Sequence, residues 1–349
     1  MSAGFRAVQW NRDKIVYDAV LVACVAAFIG AIMFAGARLD PPADVAGWIN
    51  LRLRAFGICA FSMITLILCV GPLARLDRRF LPLLYNRRHF GVLAFCVACV
   101  HAFSVADWFY VQDALPDFFN EFATGANYTK FIGFTTKAIG LAALTIFFVM
   151  AATSHDYWLA FLSPPAWKAI HMGVYAAWGL LVMHVSLGLM QHERLPALPL
   201  LLGGSIALVA GLHIAAGWRE RAGDAAAPIG EGGWLVVGAP FAIPDKQARI
   251  VCAPGGERIA VFRDGDLVSA VTNLCAHQNG PLGEGRVIDG CITCPWHGYQ
   301  YGFGDGRAPE PFTEKLATYR LRVRDGVLEV DPAPLPPGTG AALLLAPDG

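Results

Sequence analysis

Six stretches within the first 220 residues are almost bare of charge, and each is long enough to cross a lipid bilayer. Residues 19–37 and 55–73 contain no Asp, Glu, Lys or Arg. Residues 90–106 are interrupted only by His101, and residues 131–152 carry one Lys, Lys137, near their start. Residues 169–190 are uncharged but hold His171 and His184; residues 195–218 are uncharged but hold His213. A transmembrane helix needs about 20 mostly apolar residues to span roughly 30 Å of hydrocarbon. Lipid offers backbone N–H and C=O groups no partners, so a run of this length must satisfy them internally, as a helix. Six such runs predict an α-helical membrane bundle of six transmembrane helices rather than the buried helices of one soluble core.

Only 15% of the 349 residues are charged, against about 25% in an ordinary soluble protein. The shortage is concentrated in these runs. With 56% hydrophobic residues the chain is not disordered, and with no net charge it gives no reason to expect a nucleic-acid partner. Ala35-Gly36-Ala37 resembles a signal-peptidase site, but the run before it exceeds the usual apolar core of a signal peptide. A retained first helix is therefore expected. Orientation follows from Lys and Arg in the flanks. With the N-terminus inside, the inner segments hold eleven: Arg6, Arg12, Lys14, Arg75, Arg78, Arg79, Arg87, Arg88, Lys168, Arg219 and Arg221. The outer loops hold five: Arg38, Arg52, Arg54, Lys130 and Arg194. This balance places the N-terminus on the cytoplasmic side of an inner (cytoplasmic) membrane, and six spans return the C-terminal residues to that side.

The character changes after Trp218. Residues 1–218 form the membrane domain, 219–231 read as a linker, 232–332 as a small all-β domain, and 333–349 as a flexible Pro-, Gly- and Ala-rich tail. The β reading rests on short runs such as 234–237, 259–262, 267–271 and 327–330, separated by the hairpin signals Asp264-Gly265 and Asp325-Gly326. Inside this domain Cys275-Ala-His277 is followed sixteen residues later by Cys294-Pro-Trp-His297. Thiolate and imidazole are good ligands for zinc or iron, but zinc sites usually group Cys with Cys and His with His. Here each pair mixes the two.

That mixed pairing, with Gly280-Pro-Leu between the pairs and Trp296-His-Gly-Tyr after them, resembles the Rieske iron–sulfur family over roughly 232–332. The resemblance implies a [2Fe–2S] cluster with Cys275 and Cys294 on one iron and His277 and His297 on the other. Imidazole in place of thiolate lowers the cluster's negative charge and raises its potential above that of a four-Cys cluster. Rieske proteins of the cytochrome bc type carry a further Cys in each ligand loop, joined as a disulfide. Gly280 and Trp296 occupy those positions here. They also place a Ser two residues after the second His, where this chain has Tyr299, while Tyr301 keeps the family's Tyr. The missing disulfide fits a reducing cytoplasm, and the missing hydroxyl predicts a lower potential. Cys291 reads as a buried thiol. Cys24, Cys59, Cys69, Cys96, Cys99 and Cys252 read as packing residues.

Ionisable residues within a span are costly and mark function. Arg87-Arg88-His-Phe-Gly91 with His101, and His171-Met-Gly-Val-Tyr175 with His184, resemble the third and fifth helices of the ferric-reductase-like transmembrane family over roughly 15–216. Within it they are similar to haem-binding subunits of periplasmic methionine sulfoxide reductase systems. The resemblance implies b-type haem, one or two per chain, bound by His101, His171 and His184. Depth pairs His101 with His184 at an outer haem. His171 lies nearer the inside and needs another partner, for which His89, His155 and His213 lie at suitable depth; His89 can serve as the second ligand of its helix. Arg87 or Arg88 suits a haem propionate, and His192 reads as solvated.

Two one-electron carriers in one chain suggest a wire. No G-x-G-x-x-G motif follows a strand, so no nicotinamide or flavin domain is expected. The expected partners are the lipid bilayer, an electron donor protein or reductase on the cytoplasmic side, and quinone or an external acceptor. Such a chain is an oxidoreductase-type component with ferric or quinone reductase-like activity. The alternative is a membrane-anchored Rieske ferredoxin that serves a separate oxygenase or reductase. A Rieske oxygenase would need a mononuclear iron held by two His and a carboxylate, and no second soluble domain is present to house one.

Overall fold

The computed structural model describes residues 12–80, 83–84, 86–113, 131–154, 158, 161–189, 197–223, 226–296 and 298–345. The chain forms two compact units. One is built from residues 12–71 and 86–213, the other on residues 214–349 with 72–85.

Among the described residues the N-terminal region has six α-helices: α1 (Arg12–Leu39), α2 (Val45–Leu76), α3 (Arg87–Val111), α4 (Phe131–Ala152), α5 (Pro164–Leu189) and α6 (Ala197–Gly223). Among the described residues five are long and apolar enough to cross a membrane; α4, over Thr136–Ala152, is a shorter apolar helix. The helices are apolar all round, as helices surrounded by lipid must be. They differ in burial. In α2, 56% of the apolar window is buried inside the protein, in α1 none of it. Helix α2 is thus the centre of the bundle and α1 its rim. The core joins Cys59, Ala60, Met63 and Ile64 of α2 to Ala94 and Val97 of α3, Ala143 and Phe147 of α4, and Ala177 of α5. Four of these nine are alanines. Lipid tails are as apolar as leucine, so helices gain little from hydrophobicity alone and associate where small side chains allow close approach. Trp178 Nε1 donates to Thr65 Oγ1 at 3.1 Å, adding one polar tie between α5 and α2. Not every cysteine packs as expected, because Cys24 and Cys96 are exposed on the helix surfaces.

The C-terminal unit contains eleven strands. β2 (Ala248–Cys252), β3 (Arg258–Asp264), β4 (Leu267–Thr272) and β11 (Leu343–Leu344) form one antiparallel sheet, with β8 (Thr318–Tyr319) also on β4. β1 (Leu235–Gly238), β10 (Val327–Val330) and β9 (Leu321–Arg324) form a second. β5 (Arg286–Ile288), β6 (Cys291–Thr293) and β7 (Gln300–Gly302) form a third. Both expected hairpins are present: Asp264 pairs with Leu267 across one turn, and Arg324 with Val327 across the other. Asp325 and Gly326 both adopt positive φ, 50° and 75°, as a two-residue turn matching strand twist requires.

Two boundaries differ from the sequence reading. Helix α6 continues to Gly223, so the first residues of the expected linker 219–231 are its final turn. Nothing between Trp218 and Gly223 breaks a helix. The expected flexible tail 333–349 is ordered through Leu345: β11 pairs with β4, Leu345 N–H donates to the Asp266 carbonyl at 2.8 Å, and its side chain is 3% exposed. Pro and Gly suggested disorder, but Leu345 joins the core formed by Leu235, Ile243, Ile259, Val268 and Tyr319, which outweighs the entropy of fixing a short segment. Leu345→Ala therefore costs about 2–5 kcal/mol. Thermal melting of the C-terminal domain, followed by its cluster absorbance, should move to lower temperature; a flexible tail would leave it unchanged.

Candidate metal centres

The bundle brings two of the predicted histidines together. The rings of His101 (α3) and His184 (α5) lie with centres 6.1 Å apart and planes at 88°. His101 Nδ1 is 2.9 Å from the Leu53 carbonyl of α2, and His184 Nδ1 is 2.8 Å from the Thr136 carbonyl of α4. A carbonyl only accepts, so each Nδ1 carries the proton and each Nε2 keeps its lone pair. This is the arrangement in which metal-bound histidines are held. An imidazole nitrogen sits about 2 Å from a first-row metal ion, so two rings on opposite sides of one ion have centres about 6 Å apart. The observed spacing fits a bis-imidazole iron.

Both carbonyls are reached the same way. Each lies four residues before a glycine, Gly57 on α2 and Gly140 on α4. A helical side chain covers the turn N-terminal to its own Cα, so glycine uncovers that carbonyl. A Cβ on Gly57 would lie 2.9 Å from His101 Nδ1, and one on Gly140 would lie 2.8 Å from His184 Cε1. The separation of histidine from carbonyl is 48 residues in both cases. Helix pairs α2–α3 and α4–α5 therefore repeat one device. Sequence reading missed it, although the equal Gly-to-His spacing was visible.

The other predicted histidines have other neighbours. His89 Nδ1 is 2.8 Å from Asp18 of α1, an acidic residue at the edge of the first apolar run. His171 lies flat on Trp167, ring centres 3.7 Å apart, with Nδ1 3.0 Å from the Trp167 carbonyl and Nε2 3.4 Å from Ser154 Oγ. His213 Nε2 is 3.0 Å from the Tyr175 hydroxyl. His155 and His192 lie outside the described residues.

In the β domain two loops carry the Cys/His pairs. The first joins β4 to the turn at Leu282–Glu284, the second joins β6 to β7. In each, the motif cysteine closes its own loop: Cys275 N–H donates to the Gly280 carbonyl at 2.9 Å, and Cys294 N–H to the Tyr299 carbonyl at 2.8 Å. Both sulfurs are buried, and neither is in a disulfide. A Cβ on Gly280 would lie 2.7 Å from Cys294 Sγ and 3.2 Å from the Trp296 ring, so this close approach requires glycine there. The Tyr301 hydroxyl lies 3.3 Å from Cys275 Sγ, placed to donate to a thiolate. Burial opposes ionisation of Cys275, but Cys294, Tyr301 and the N–H groups of His277 and Gln278 outweigh it and bring its pKa down to about 7. A buried thiol pair, with Cys275 held toward its thiolate form, suits an iron–sulfur cluster. His277 stands against them with its ring stacked on Tyr299, centres 4.7 Å apart and planes at 10°. His297 lies outside the described residues. Cys291 is half-buried at the start of β6, and its thiol pKa is raised by burial.

A helical bundle with an imidazole pair at its centre, joined to a β domain with a buried thiol pair, defines a membrane redox protein. Comparison with known proteins agrees. Residues 56–182 match the family described as ferric reductase like transmembrane component, and residues 233–320 match the Rieske [2Fe-2S] domain. The anthranilate 1,2-dioxygenase ferredoxin subunit of Burkholderia cepacia is 39% identical over 102 residues, 28% of this chain and 91% of the relative. Ferredoxin CarAc of Metapseudomonas resinovorans is 32% identical over 98 residues, 28% of this chain and 92% of the relative. The chain spans only 22% of a larger relative, cholesterol 7-desaturase nvd 1 of Ciona intestinalis, at 32% identity over 29% of this chain. Among solved structures, a complex of reduced oxygenase and oxidized ferredoxin in carbazole 1,9a-dioxygenase matches at 32% identity and TM-score 0.26, covering 28% of this chain and 91% of that one. The chain belongs to the Rieske [2Fe–2S] domain family through its C-terminal domain, which follows a ferric-reductase-like transmembrane domain. It is a multi-pass membrane protein of electron transport.

The glycine device makes a direct prediction. Gly57→Ala and Gly140→Ala each push an imidazole off its carbonyl. Loss of such a supporting contact typically weakens metal binding about 10- to 100-fold. Haem content per protein, read from the pyridine haemochrome spectrum, should fall in both variants while the Rieske absorbance stays; unchanged haem would refute the assignment.

Proposed function

We propose that this chain passes single electrons between a cytoplasmic donor and quinone or an acceptor on the outer side of the membrane. A Rieske [2Fe–2S] cluster and b-type haem supply the one-electron chemistry when bound, and the protein supplies ligands, burial and orientation. In this reading Cys275 and Cys294 hold one iron of the cluster, and His277 and His297 hold the other. His101 and His184 would hold a haem iron. His171 and His89 are the remaining haem-ligand candidates. The His89–Asp18 pair has the form of a carboxylate orienting an imidazole. The observation that carries the proposal is the His101–His184 pair, with both Nδ1 atoms held on backbone carbonyls and ring centres one metal ion apart. The charge asymmetry of the loops supports a cytoplasmic Rieske domain and N-terminus in the inner membrane.

A second reading follows from the relatives. The Rieske domain is similar to the anthranilate 1,2-dioxygenase ferredoxin subunit and to ferredoxin CarAc; in this reading the helices anchor a ferredoxin that serves a separate oxygenase or reductase, with no haem role. The visible spectrum of the purified protein separates the two. A sharp b-haem band appearing on dithionite reduction, beside Rieske absorption, supports the wire. Rieske absorption alone sinks it in favour of the anchored ferredoxin. His101→Ala and His184→Ala should each lower the haem band and leave the cluster. Cys275→Ser should do the reverse, and redox titration then counts the centres and orders their potentials.

A further inference from the structure

Tyr299 replaces a serine of the cytochrome bc type, and the sequence reading treated it only as a lost hydrogen bond. The structure gives it other work. Its ring is 2% exposed and lies parallel to the His277 imidazole, centres 4.7 Å apart. Its hydroxyl points away from the sulfurs and donates to the Glu314 carboxylate. The same Glu314 oxygen accepts the Thr313 N–H at 3.1 Å. The Glu314 backbone is held as well, since its carbonyl accepts the Ala308 N–H at 2.9 Å beside the Arg307–Lys315 bridge. Phe312, centres 5.1 Å apart, and Tyr301, at 5.3 Å, also pack against the Tyr299 ring in tilted geometry. A rigid face thus lies on a ligand imidazole and is itself anchored by a fixed carboxylate.

We infer that Tyr299 and Glu314 form a positioning pair that locks the His277 ring and holds the cluster's potential down. The inference rests on His277 being an iron ligand. Two physical effects act together. Stacking between Tyr299 and its enclosing rings leaves His277 one orientation, and ligand orientation tunes a metal centre. The Glu314 carboxylate, hydrogen-bonded to the ring that stacks on His277, adds negative charge on the His277 side, which favours the oxidised, less negative cluster. Tyr301 acts on the other side, on a ligand sulfur, so the two tyrosines address different irons.

The test uses the full-length protein with its cluster assembled, read by redox titration and by electron paramagnetic resonance of the reduced state. Glu314→Gln keeps an acceptor for the tyrosine but removes the charge. At a fixed poise the reduced-to-oxidised ratio should rise threefold to tenfold; tenfold is about 59 mV for a one-electron centre. Tyr299→Phe keeps the face on His277 and frees Glu314 to turn to solvent, so the shift should have the same sign and be smaller. Tyr299→Leu removes the face and should change the spread of the g-values, which report ligand geometry. Unchanged potential in Glu314→Gln together with unchanged g-values in Tyr299→Leu overturns the inference. So does loss of the cluster in both Glu314→Gln and Tyr299→Phe, which would make the pair structural. Failure of the underlying reading looks different: His277→Ala would then retain the wild-type Rieske spectrum.

Discussion

An imidazole placed among apolar helices needs a partner for its N–H, because hydrocarbon offers none. His101 and His184 find theirs on the backbone carbonyls of Leu53 and Thr136. A helix carbonyl already accepts one bond from its own ladder, but oxygen has a second lone pair. The difficulty is access, since a side chain on the following turn normally covers it. Gly57 and Gly140 remove that cover. The packing then follows. Helix α2 must approach α3, and α4 must approach α5, closely enough for ring to meet backbone. The alanines Ala60, Ala94, Ala143 and Ala177 permit that approach through the core.

The same logic of orientation by a neighbour governs the Rieske domain by different means. Each motif cysteine folds its loop back on itself with a backbone hydrogen bond. The loops come so close at Gly280 that no side chain fits between them and Cys294. In cytochrome bc type proteins a disulfide occupies this place. Here close packing of Gly280 against Cys294 and Trp296, within the core of Leu282, Ile292, Tyr299 and Tyr301, holds the loops. None of the nine cysteines is in a disulfide.

Much was legible in the sequence because its signals are local or periodic. Charge-free runs give membrane helices, and Asp-Gly between β-branched runs gives hairpins. Cys-x-His with Cys-x-x-His gives a family whose cluster is held by residues near in sequence. What was not legible depends on pairs distant in the chain. Asp18 as the neighbour of His89, 71 residues away, is one case. Glu314 as the anchor of Tyr299 is another, because a glutamate in a Pro-rich loop looks solvated until the loop is folded. Local composition also misled at 333–349, where Pro and Gly suggested mobility and a single apolar residue, Leu345, decided otherwise.

The sequence by itself determined that this chain has a helical membrane part and a β domain with Rieske-type Cys/His pairs. It determined which histidines lie among apolar residues. Those conclusions need only the cost of moving charge and bare backbone into hydrocarbon, and the chemistry of thiolate and imidazole. Depth along the helices already paired His101 with His184; only the tertiary structure decided how closely they meet and which carbonyls hold them. His101 and His184 stand 83 positions apart in the chain, and their ring spacing follows from how α3 and α5 pack around α2. Likewise, only the folded loops bring Tyr299 between the His277 imidazole and the Glu314 carboxylate. Distance in space between residues far apart in sequence is set by packing of whole elements, which no local pattern encodes.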